Sequence, residues 1–252
     1  MAERNTLKER LRRGGTALGC FQRIPAAEVT EVCASAGFDF VVVDMEHAHI
    51  GEDRVADLVR AAEAAGIEAL VRVPGHDPAT IGRALDTGAP GLHVPRVGSS
   101  AEAAAAVAAT RYAPQGSRGL ATSRRTGYGG RGSLAEQVAA ADEVLVAVQV
   151  EDRAGLEQVD AIAALPGVDV VFIGLTDLSA DLGVPGRYDD DRLQEVVAEA
   201  LQRIGAQGKA AGVPVASAAM AEEYLALGAS YLTTNDVRLL LEASGAFVHA
   251  LR

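Results

Sequence analysis

The residues of this sequence that could do chemistry stand where short apolar runs end. Carboxylates and imidazoles can bind cations or move protons, and a guanidinium can hold an anion. The polar or conformationally special residues placed in this way are Asp44, Glu46, His47, Arg72, Gln149, Glu151, Gly174 and Asp177. Their types fit acid/base chemistry together with the binding of a small charged ligand.

Two of these carboxylates, Glu151 and Asp177, follow consecutive apolar runs. If the runs are neighbouring parallel strands, the carboxylates could converge. Two carboxylates completed by waters and a bidentate oxygen ligand suit octahedral Mg2+ or Mn2+. A purely structural interpretation is equally open, in which Asp177 caps the TDLS turn and Glu151 pairs with Arg153.

Three further residues admit both a functional and a structural interpretation. His47 could serve as a general acid or base because imidazole titrates near neutrality, although a loop histidine bonded to a backbone carbonyl is the simpler interpretation. Arg72 ends the apolar run EALVRVP, where an unpaired charge is costly to bury, so an anionic partner is favoured. Asp86 lies near a predicted helix end, where the dipole disfavours an acid. This position indicates a specific partner or a surface ion pair.

Eight apolar runs alternate with eight segments of helical composition. The runs are continuous in hydrophobicity, which is typical of parallel strands buried on both faces. They cover residues 16–22, 38–45, 68–74, 91–97, 143–151, 168–174, 213–219 and 230–236. The helical segments cover residues 26–37, 51–66, 78–88, 100–112, 153–165, 191–212, 218–228 and 237–252. Glycines favoured just beyond a helix close several of them, namely Gly37, Gly66, Gly88, Gly212 and Gly228.

This alternation predicts an α/β protein with a (β/α)8 TIM barrel formed by one domain over residues 1–252. An open doubly wound sheet is the alternative, but no G-x-G-x-x-G follows a strand, and eight strand–helix units fit closure better. Active sites of such barrels lie at the C-terminal ends of the strands. The candidate residues stand at those ends. The longest irregular segment is 113–133, and we interpret its GYGGRG run as a flexible loop.

The composition restricts the classes of partner that this protein could bind. The chain has 252 residues, 49% of them hydrophobic, which is enough for a sizeable core. It carries 23 Lys and Arg against 34 Asp and Glu, a net charge of −11. Nucleic acid and anionic membranes attract clustered basic residues, so we expect neither as the main partner. We expect a cytoplasmic protein, because the sequence shows neither a secretory signal nor an apolar stretch long enough to span a membrane.

Cysteine and lysine usage excludes two kinds of chemistry. Cys20 and Cys33 are too few for a disulfide framework, and their spacing is not that of a zinc site. Lys8 and Lys209 are the two lysines, and both lie outside the predicted strand ends. A Schiff-base mechanism needs a partly desolvated lysine in the site. We therefore do not expect one here.

Several motifs together resemble the HpcH/HpaI aldolase family. They are AGFDFVVVDMEHA, VRVPGHDPATIGRALDTGAPGLHVPRV, RYAPQGSRG, VQVE and GVDVVFIGLTDLSADLG, in this order. The resemblance spans residues 14 to about 240. It implies a metal-dependent pyruvate aldolase on a TIM barrel whose last helix is exchanged between subunits. It further implies a homo-oligomer, commonly a hexamer built as a trimer of dimers.

The resemblance also implies a role for each matching residue. Glu151 and Asp177 would hold a divalent cation (Mg2+, Mn2+ or Co2+), and Gln149 would lie beside the cation and the keto oxygen of the substrate. Arg72 would stabilise the enolate, and His47 would act as the acid/base residue with Asp86 as its orienting partner. Backbone amides at Gly174 and Thr176 would bind the carboxylate of pyruvate. Asp44 and Glu46 would hold these side chains in position without contacting the substrate.

The implied reaction is reversible aldol cleavage of a 4-hydroxy-2-oxo acid to pyruvate, or hydroxypyruvate, and an aldehyde. A related enolate-forming lyase or synthase, or an oxaloacetate decarboxylase, is the alternative, and a non-catalytic binding barrel is a third class. The sequence departs from the family pattern with Phe40, with GLTDLS in place of GPADLS, and with a basic loop. Arg124, Arg125 and Arg131 of that loop could hold a second carboxylate or a phosphate on the aldehyde.

Overall fold

A closed barrel of eight parallel strands forms the centre of the molecule. The computed structural model describes residues 6–130 and 132–252. The strands are β1 (Ala17–Gln22), β2 (Phe40–Asp44), β3 (Glu68–Arg72), β4 (Gly91–Val94), β5 (Leu145–Val150), β6 (Val170–Ile173), β7 (Ala210–Pro214) and β8 (Tyr231–Asn235). Each pairs with the next in chain order, and β8 pairs with β1. The prediction of a (β/α)8 barrel is confirmed, and the open-sheet alternative is wrong.

Helices surround the barrel and close one of its ends. They are α1 (Leu7–Arg12), α2 (Ala27–Ala36), α3 (Glu52–Ala65), α4 (Pro78–Asp86), α5 (Ser100–Thr110), α6 (Leu134–Ala139), α7 (Arg153–Glu157), α8 (Val159–Ala163), α9 (Leu175–Asp181), α10 (Asp191–Ala206), α11 (Ala218–Ala226) and α12 (Asp236–His249). Helix α1 packs Leu7 and Leu11 against residues at the strand N-termini, including Ala17 and Leu145. The N-terminal end of the barrel is thereby closed, which leaves the C-terminal end for a site.

The boundaries of the seventh strand–helix unit differ from the sequence prediction. We expected a helix through residue 212 and a strand over residues 213–219, but α10 ends at Ala206 and β7 already begins at Ala210. The Ala-rich composition of residues 209–212 is typical of a helix. However, Gly208 adopts a left-handed conformation with φ of 71°, which ends the helix early. Gly212 therefore lies within β7 and does not cap a helix.

Two hydrophobic layers hold the barrel together. The outer layer lies between the strands and the helices, where continuous apolar runs such as Val41 and Val43 are fully buried. The inner layer fills the barrel with aromatic rings, including those of Phe40, Phe172 and Tyr231. Gly19 is needed beside Phe40, because a Cβ atom there would lie 2.1 Å from the ring. The strands are thus buried on both faces, as their composition indicated.

None of the helices in the described part of the chain combines the length and the hydrophobicity that a membrane-spanning helix needs.

Candidate active site

A cavity of about 330 Å3 opens at the C-terminal ends of the strands. Most of the residues selected from the sequence share it, because parallel strands of a barrel end on the same face. The selected residues that line it are Asp44, His47, Arg72, Gln149, Glu151, Gly174, Thr176 and Asp177. Glu46 borders it through contacts with His47 and Arg72. Asp86 does not line this cavity.

Two carboxylates meet on one side of this cavity. Glu151 directly follows β5, Asp177 lies in the first turn of α9, and the two side chains share a hydrogen bond. Burial, the hydrogen bond with Asp177 and the charge of Glu46 together raise the pKa of Glu151 to about 8. Because Glu151 is buried next to Asp177, its charged form is disfavoured, and Glu151 keeps a proton near neutral pH.

The structural interpretations of these carboxylates are wrong. Arg153 lies 3.6 Å from Asp181, one helical turn beyond Asp177, and it does not pair with Glu151. The cap of α9 is Gly174, and no side chain caps this helix. Gly174 is also needed for space, because a Cβ atom there would lie 2.7 Å from Cγ of Glu151. Neither carboxylate is therefore explained by local structure.

The carboxylate pair has the chemistry of a divalent cation site. Carboxylate oxygens are the ligands that Mg2+ and Mn2+ prefer, and a cation removes the repulsion that a shared proton otherwise relieves. Gln149 lies two residues before Glu151, and its Oε1 is buried without a hydrogen-bond partner among the described residues. The same part of the chain contains no cluster of three His, Cys, Asp or Glu side chains suited to a metal. The remaining ligands would have to come from substrate and water.

Arg72 lines the same cavity as the carboxylate pair and is held by a buried acid. Its Nε and one terminal nitrogen donate to the two carboxylate oxygens of Asp44, at 2.9 and 2.6 Å. The other terminal nitrogen lies 3.3 Å from Glu46, and the guanidinium packs over the ring of Phe21. Burial acts to raise the pKa of Asp44, but the hydrogen bonds and charge of Arg72 outweigh it and hold that pKa below its usual value. The expected anionic partner of Arg72 is thus first of all Asp44.

Asp44 also shapes the loop that carries His47. Its Oδ1 accepts hydrogen bonds from the backbone N–H groups of Glu46 and His47, at 3.0 and 3.1 Å. The imidazole of His47 is about half exposed, and its Nε2 lies 3.8 Å from Glu46. The carbonyl oxygen of His47 accepts a hydrogen bond from Arg23. The simpler interpretation, a ring bonded to a backbone carbonyl, finds no counterpart among these contacts.

Asp86 does not orient His47 within this chain. It is the last residue of α4, which begins beyond β3 and runs back along the barrel. There it forms an ion pair with Arg118 at 2.7 Å. Since His47 follows the C-terminal end of β2, the two residues lie at opposite ends of the barrel. The carboxylate nearest to His47 in the chain is that of Glu46.

The basic loop lies at the same distant end. Arg124 pairs with Glu63 near the end of α3 and donates to the carbonyl oxygen of Thr87. Arg125 donates to the carbonyl oxygen of Ala89, just before β4. Arg131 lies outside the described residues. Within one chain, Arg124 and Arg125 therefore cannot reach an aldehyde in the cavity.

Both lysines also lie away from the cavity. Lys8 pairs with Asp169 at 2.9 Å, just before β6. Lys209 donates to the carbonyl oxygen of Val168 at 2.8 Å, next to the same strand start. This placement agrees with the expectation that neither lysine serves the site.

Sequence reasoning missed several residues of the site. Arg23 lies 3.7 Å from Asp44 and lines the cavity, and the rule that selected Arg72 would have found it, because it follows an apolar run directly. Arg96 adopts a left-handed conformation with φ of 53°, and its backbone N–H donates to Glu151 at 3.4 Å. Such strain is typical of functional sites. No sequence signal marks it. Sequence reasoning also assigned no role in the site to His93, which contacts Gln149, or to Tyr231, which contacts His93.

The raised pKa of Glu151 predicts how pH affects stability in the presence of a chelator. Its pKa is about 8 in the folded chain against 4.5 for an ordinary glutamate. The folded state then binds the extra proton, so the free energy of unfolding falls as pH rises towards 8, by at most about 1.4 kcal/mol per pH unit. Glu151→Gln removes the titrating group and flattens this fall. Urea unfolding between pH 6.5 and 8.5 measures it.

Glu195→Gln, on the exposed face of α10, is the matched control and should keep the slope of the original protein. An unchanged slope in Glu151→Gln would show that Glu151 is ionised throughout this range, which contradicts a shared proton.

Comparisons with known proteins agree with this geometry. A profile of the HpcH/HpaI aldolase/citrate lyase family matches residues 17–235. The chain is 36% identical to a 4-hydroxy-2-oxovalerate aldolase of Novosphingobium aromaticivorans over 96% of this chain and 92% of that protein. It is 37% identical to a hydroxypyruvate/pyruvate aldolase of Agrobacterium fabrum, over 92% of this chain and 87% of that protein.

The fold is similar as well. A crystal structure of an HpcH/HpaI aldolase/citrate lyase family protein from Burkholderia cenocepacia J2315 superposes with a TM-score of 0.93 at 35% identity, covering 99% of this chain and all of that one. The family profile, the sequence identities and the structural similarity thus indicate the same family. The chain belongs to the HpcH/HpaI aldolase/citrate lyase family.

Proposed function

We propose that the chain is a divalent-metal-dependent aldolase that cleaves 4-hydroxy-2-oxo acids reversibly to pyruvate, or hydroxypyruvate, and an aldehyde. The observation that carries this proposal is the pair of neighbouring carboxylates, buried Glu151 and exposed Asp177, which lines the same cavity as Arg72. A carboxylate pair suits a cation, and a fixed guanidinium suits the negative charge that builds on a keto oxygen. The naming of the relatives as aldolases supports a carbon–carbon lyase.

Glu151 and Asp177 would hold the cation. When bound, a divalent cation supplies Lewis-acid polarisation of the keto oxygen, worth several kcal/mol. A 2-oxo acid, with its carboxylate and keto oxygens, would be a suitable partner for a cation held by these two side chains. Mg2+, Mn2+ and Co2+ are the candidates.

Arg72 would stabilise the developing enolate by donating to its oxygen. Asp44 holds Nε and one terminal nitrogen of Arg72, so the guanidinium is fixed before substrate arrives. Such a preorganised donor contributes about 3 kcal/mol to transition-state stabilisation. The backbone amide of Thr176, at the start of α9, would bind the carboxylate of the substrate. The amide of Gly174 does not share this role, because it already donates to the carbonyl oxygen of Val150.

His47 would move the proton. In cleavage, an imidazole nitrogen takes the proton of the C4 hydroxyl while the C3–C4 bond breaks, and the electron pair of that bond enters the enolate. The same group can return a proton to C3 to give pyruvate. The neighbouring Glu46 would stabilise the imidazolium form, since its carboxylate lies 3.8 Å from Nε2. Partial exposure suits a group that must exchange protons with solvent.

Asp86 and the basic loop could serve this chemistry only from a neighbouring subunit. All of them lie at the end of the barrel remote from His47. The predicted assembly is therefore part of the proposal: Asp86 of one chain would orient His47 of another, and Arg124 and Arg125 would face a neighbour's aldehyde.

The last helix supports an assembly. Helix α12 is anchored at its start by Asp236, which accepts hydrogen bonds from the backbone of Arg23 and Ile24. Its later apolar side chains are exposed, with Leu241 71% and Phe247 70% accessible. Contiguous exposed apolar side chains of this size mark an interface. We propose that α12 is exchanged between subunits of a homo-oligomer, and that the protein is cytoplasmic.

A substrate panel tests the reaction. The chain should release pyruvate from a 4-hydroxy-2-oxo acid, EDTA should abolish this release, and Mg2+, Mn2+ or Co2+ should restore it. His47→Ala should lower kcat by about 100-fold or more, because general acid/base catalysis contributes about 100- to 10,000-fold. Product mass after incubation with different aldehydes identifies the partner.

His49→Ala is the matched control, since His49 is an exposed histidine of the same loop outside the cavity lining, and this variant should keep normal turnover. Activity that survives chelation, or inactivation by borohydride with pyruvate, would refute the proposal. Turnover of oxaloacetate or citrate with none of 4-hydroxy-2-oxo acids would favour the alternative lyase or decarboxylase.

Light scattering tests the assembly. At micromolar concentration the protein should have at least twice the 26.0 kDa mass of one chain. Phe247→Glu should shift it towards the monomer, because a charge would enter the proposed interface. Val32→Glu changes a comparably exposed residue on α2 and should leave the mass unchanged. A monomeric original protein would exclude both the exchanged helix and any role for Asp86 in the site.

A further inference from the structure

A histidine that the mechanism does not use lies inside the barrel beneath the cavity. His93 belongs to β4 and is fully buried. Aromatic rings surround it, since the centroids of Phe21, Phe172 and Tyr231 each lie 5.4 Å from that of His93. A polar ring in such a place is costly unless its nitrogens are hydrogen-bonded.

Both ring nitrogens of His93 have partners, and together they connect the barrel interior to the active site. Nε2 lies 2.5 Å from the hydroxyl of Tyr231, and Nδ1 lies 3.4 Å from Nε2 of Gln149. Gln149 lines the cavity, whereas His93 does not. The end of the carboxamide that does not contact His93 is the end left for a ligand in the cavity, and its Oε1 is buried.

His93 is a neutral imidazole. Burial lowers its pKa to about 3, and the charge of Arg72 acts in the same direction. A neutral imidazole has one N–H donor and one nitrogen acceptor. If Nε2 carries the proton, Nδ1 must accept, and the reverse holds for the other tautomer. The direction of the Tyr231 hydroxyl and the orientation of the Gln149 carboxamide are therefore coupled through this ring.

Two arrangements satisfy the ring. In the first, Nε2–H donates to Tyr231, and Nδ1 accepts from the Gln149 amide nitrogen. This arrangement leaves the Tyr231 hydrogen and the Gln149 Oε1 without partners among the described residues, and the latter is buried. In the second, Tyr231 donates to Nε2, and Nδ1–H donates to the Gln149 carbonyl oxygen. A half-turn of the carboxamide converts one into the other and exchanges nitrogen for oxygen at the cavity end.

A ligand in the cavity determines which of these two hydrogen-bonding arrangements is favoured. A keto or enolate oxygen in the cavity is a hydrogen-bond acceptor, so it would face an unpartnered oxygen in the first arrangement and an NH2 group in the second. An acceptor facing a buried acceptor is destabilising, whereas a donor there stabilises the charge that develops during the reaction. The second arrangement also gives the buried Tyr231 hydrogen an acceptor.

We propose that His93 is a positioning residue which, together with Tyr231, holds the NH2 group of Gln149 towards the keto oxygen of the 2-oxo acid. His93 touches no substrate and acts through Gln149. This inference rests on the proposed function, since it assigns the ligand of Gln149 as the oxygen on which negative charge accumulates.

Double-mutant cycles test the coupling. His93→Leu removes both ring nitrogens, Tyr231→Phe removes one hydroxyl, and Gln149→Leu removes the amide. Each is measured alone, and each of the first two is combined with Gln149→Leu. The readouts are kcat and KM for cleavage of a 4-hydroxy-2-oxo acid, and the exchange of pyruvate methyl protons in D2O, both with Mg2+.

His93→Leu should lower kcat about 10- to 100-fold with little change in KM, because the lost contact strengthens as charge develops. In the Gln149→Leu background the same change should cost less than about twofold, since there is no longer an amide to orient. Tyr231→Phe should show the same pattern with a smaller loss, and it carries the test if His93→Leu does not fold.

Phe40→Leu is the packing control. Phe40 contacts the Tyr231 ring inside the barrel but has no hydrogen bond in the network. It should lower the melting temperature with little effect on kcat. Equal losses from His93→Leu and from Tyr231→Phe in both backgrounds would show that these residues act by packing, and would overturn the inference while leaving the proposed function intact. An original protein that neither cleaves the acid nor exchanges the protons would overturn both.

Discussion

The structure depends on two acids brought together where they repel each other. The closed barrel joins β5 to β6, so the positions that follow these strands become neighbours, and Glu151 and Asp177 occupy them. Gly174 leaves room for the Glu151 side chain, and the strained backbone of Arg96 directs an N–H towards it. Burial, the hydrogen bond with Asp177 and the charge of Glu46 raise the pKa of Glu151, so in the absence of a cation it keeps a proton near neutral pH. This arrangement of acids supports the proposal that the site binds a divalent cation.

A second charge cluster, centred on the buried Asp44, fixes the positions of Arg72 and of the loop that carries His47. Asp44 is fully buried and binds Arg72 through two hydrogen bonds, and it also accepts two backbone N–H groups of the loop that carries His47. Removing one partner of such a buried pair leaves an unpaired charge, which costs about 3–5 kcal/mol. One carboxylate therefore fixes both the guanidinium of Arg72 and the backbone of His47. In the proposed reaction, negative charge on the substrate would be stabilised by the cation and by this guanidinium.

The sequence predicts the barrel and most of the site because both follow from short-range patterns. Continuous apolar runs indicate buried parallel strands. Because the strands of a closed barrel end on the same face, Arg72 and Glu151 are expected together there. Three features do not follow from such patterns. Helix α10 ends early because of the conformation of Gly208, Asp86 is carried to the far end of the barrel by the direction of α4, and His93 meets Gln149 only through the three-dimensional register of the strands. These depend on tertiary geometry, which spacing along the chain does not encode.

The cation site is the central claim, and Mn2+ binding tests it most directly. Electron paramagnetic resonance of free Mn2+ gives the number of ions bound per chain and their affinity, without any assay of turnover. The account predicts one ion per chain, with affinity strongly reduced in Asp177→Asn and retained in Asp181→Asn, whose carboxylate lies one helical turn further on and pairs with Arg153. Equal Mn2+ binding by the original protein and Asp177→Asn would contradict it.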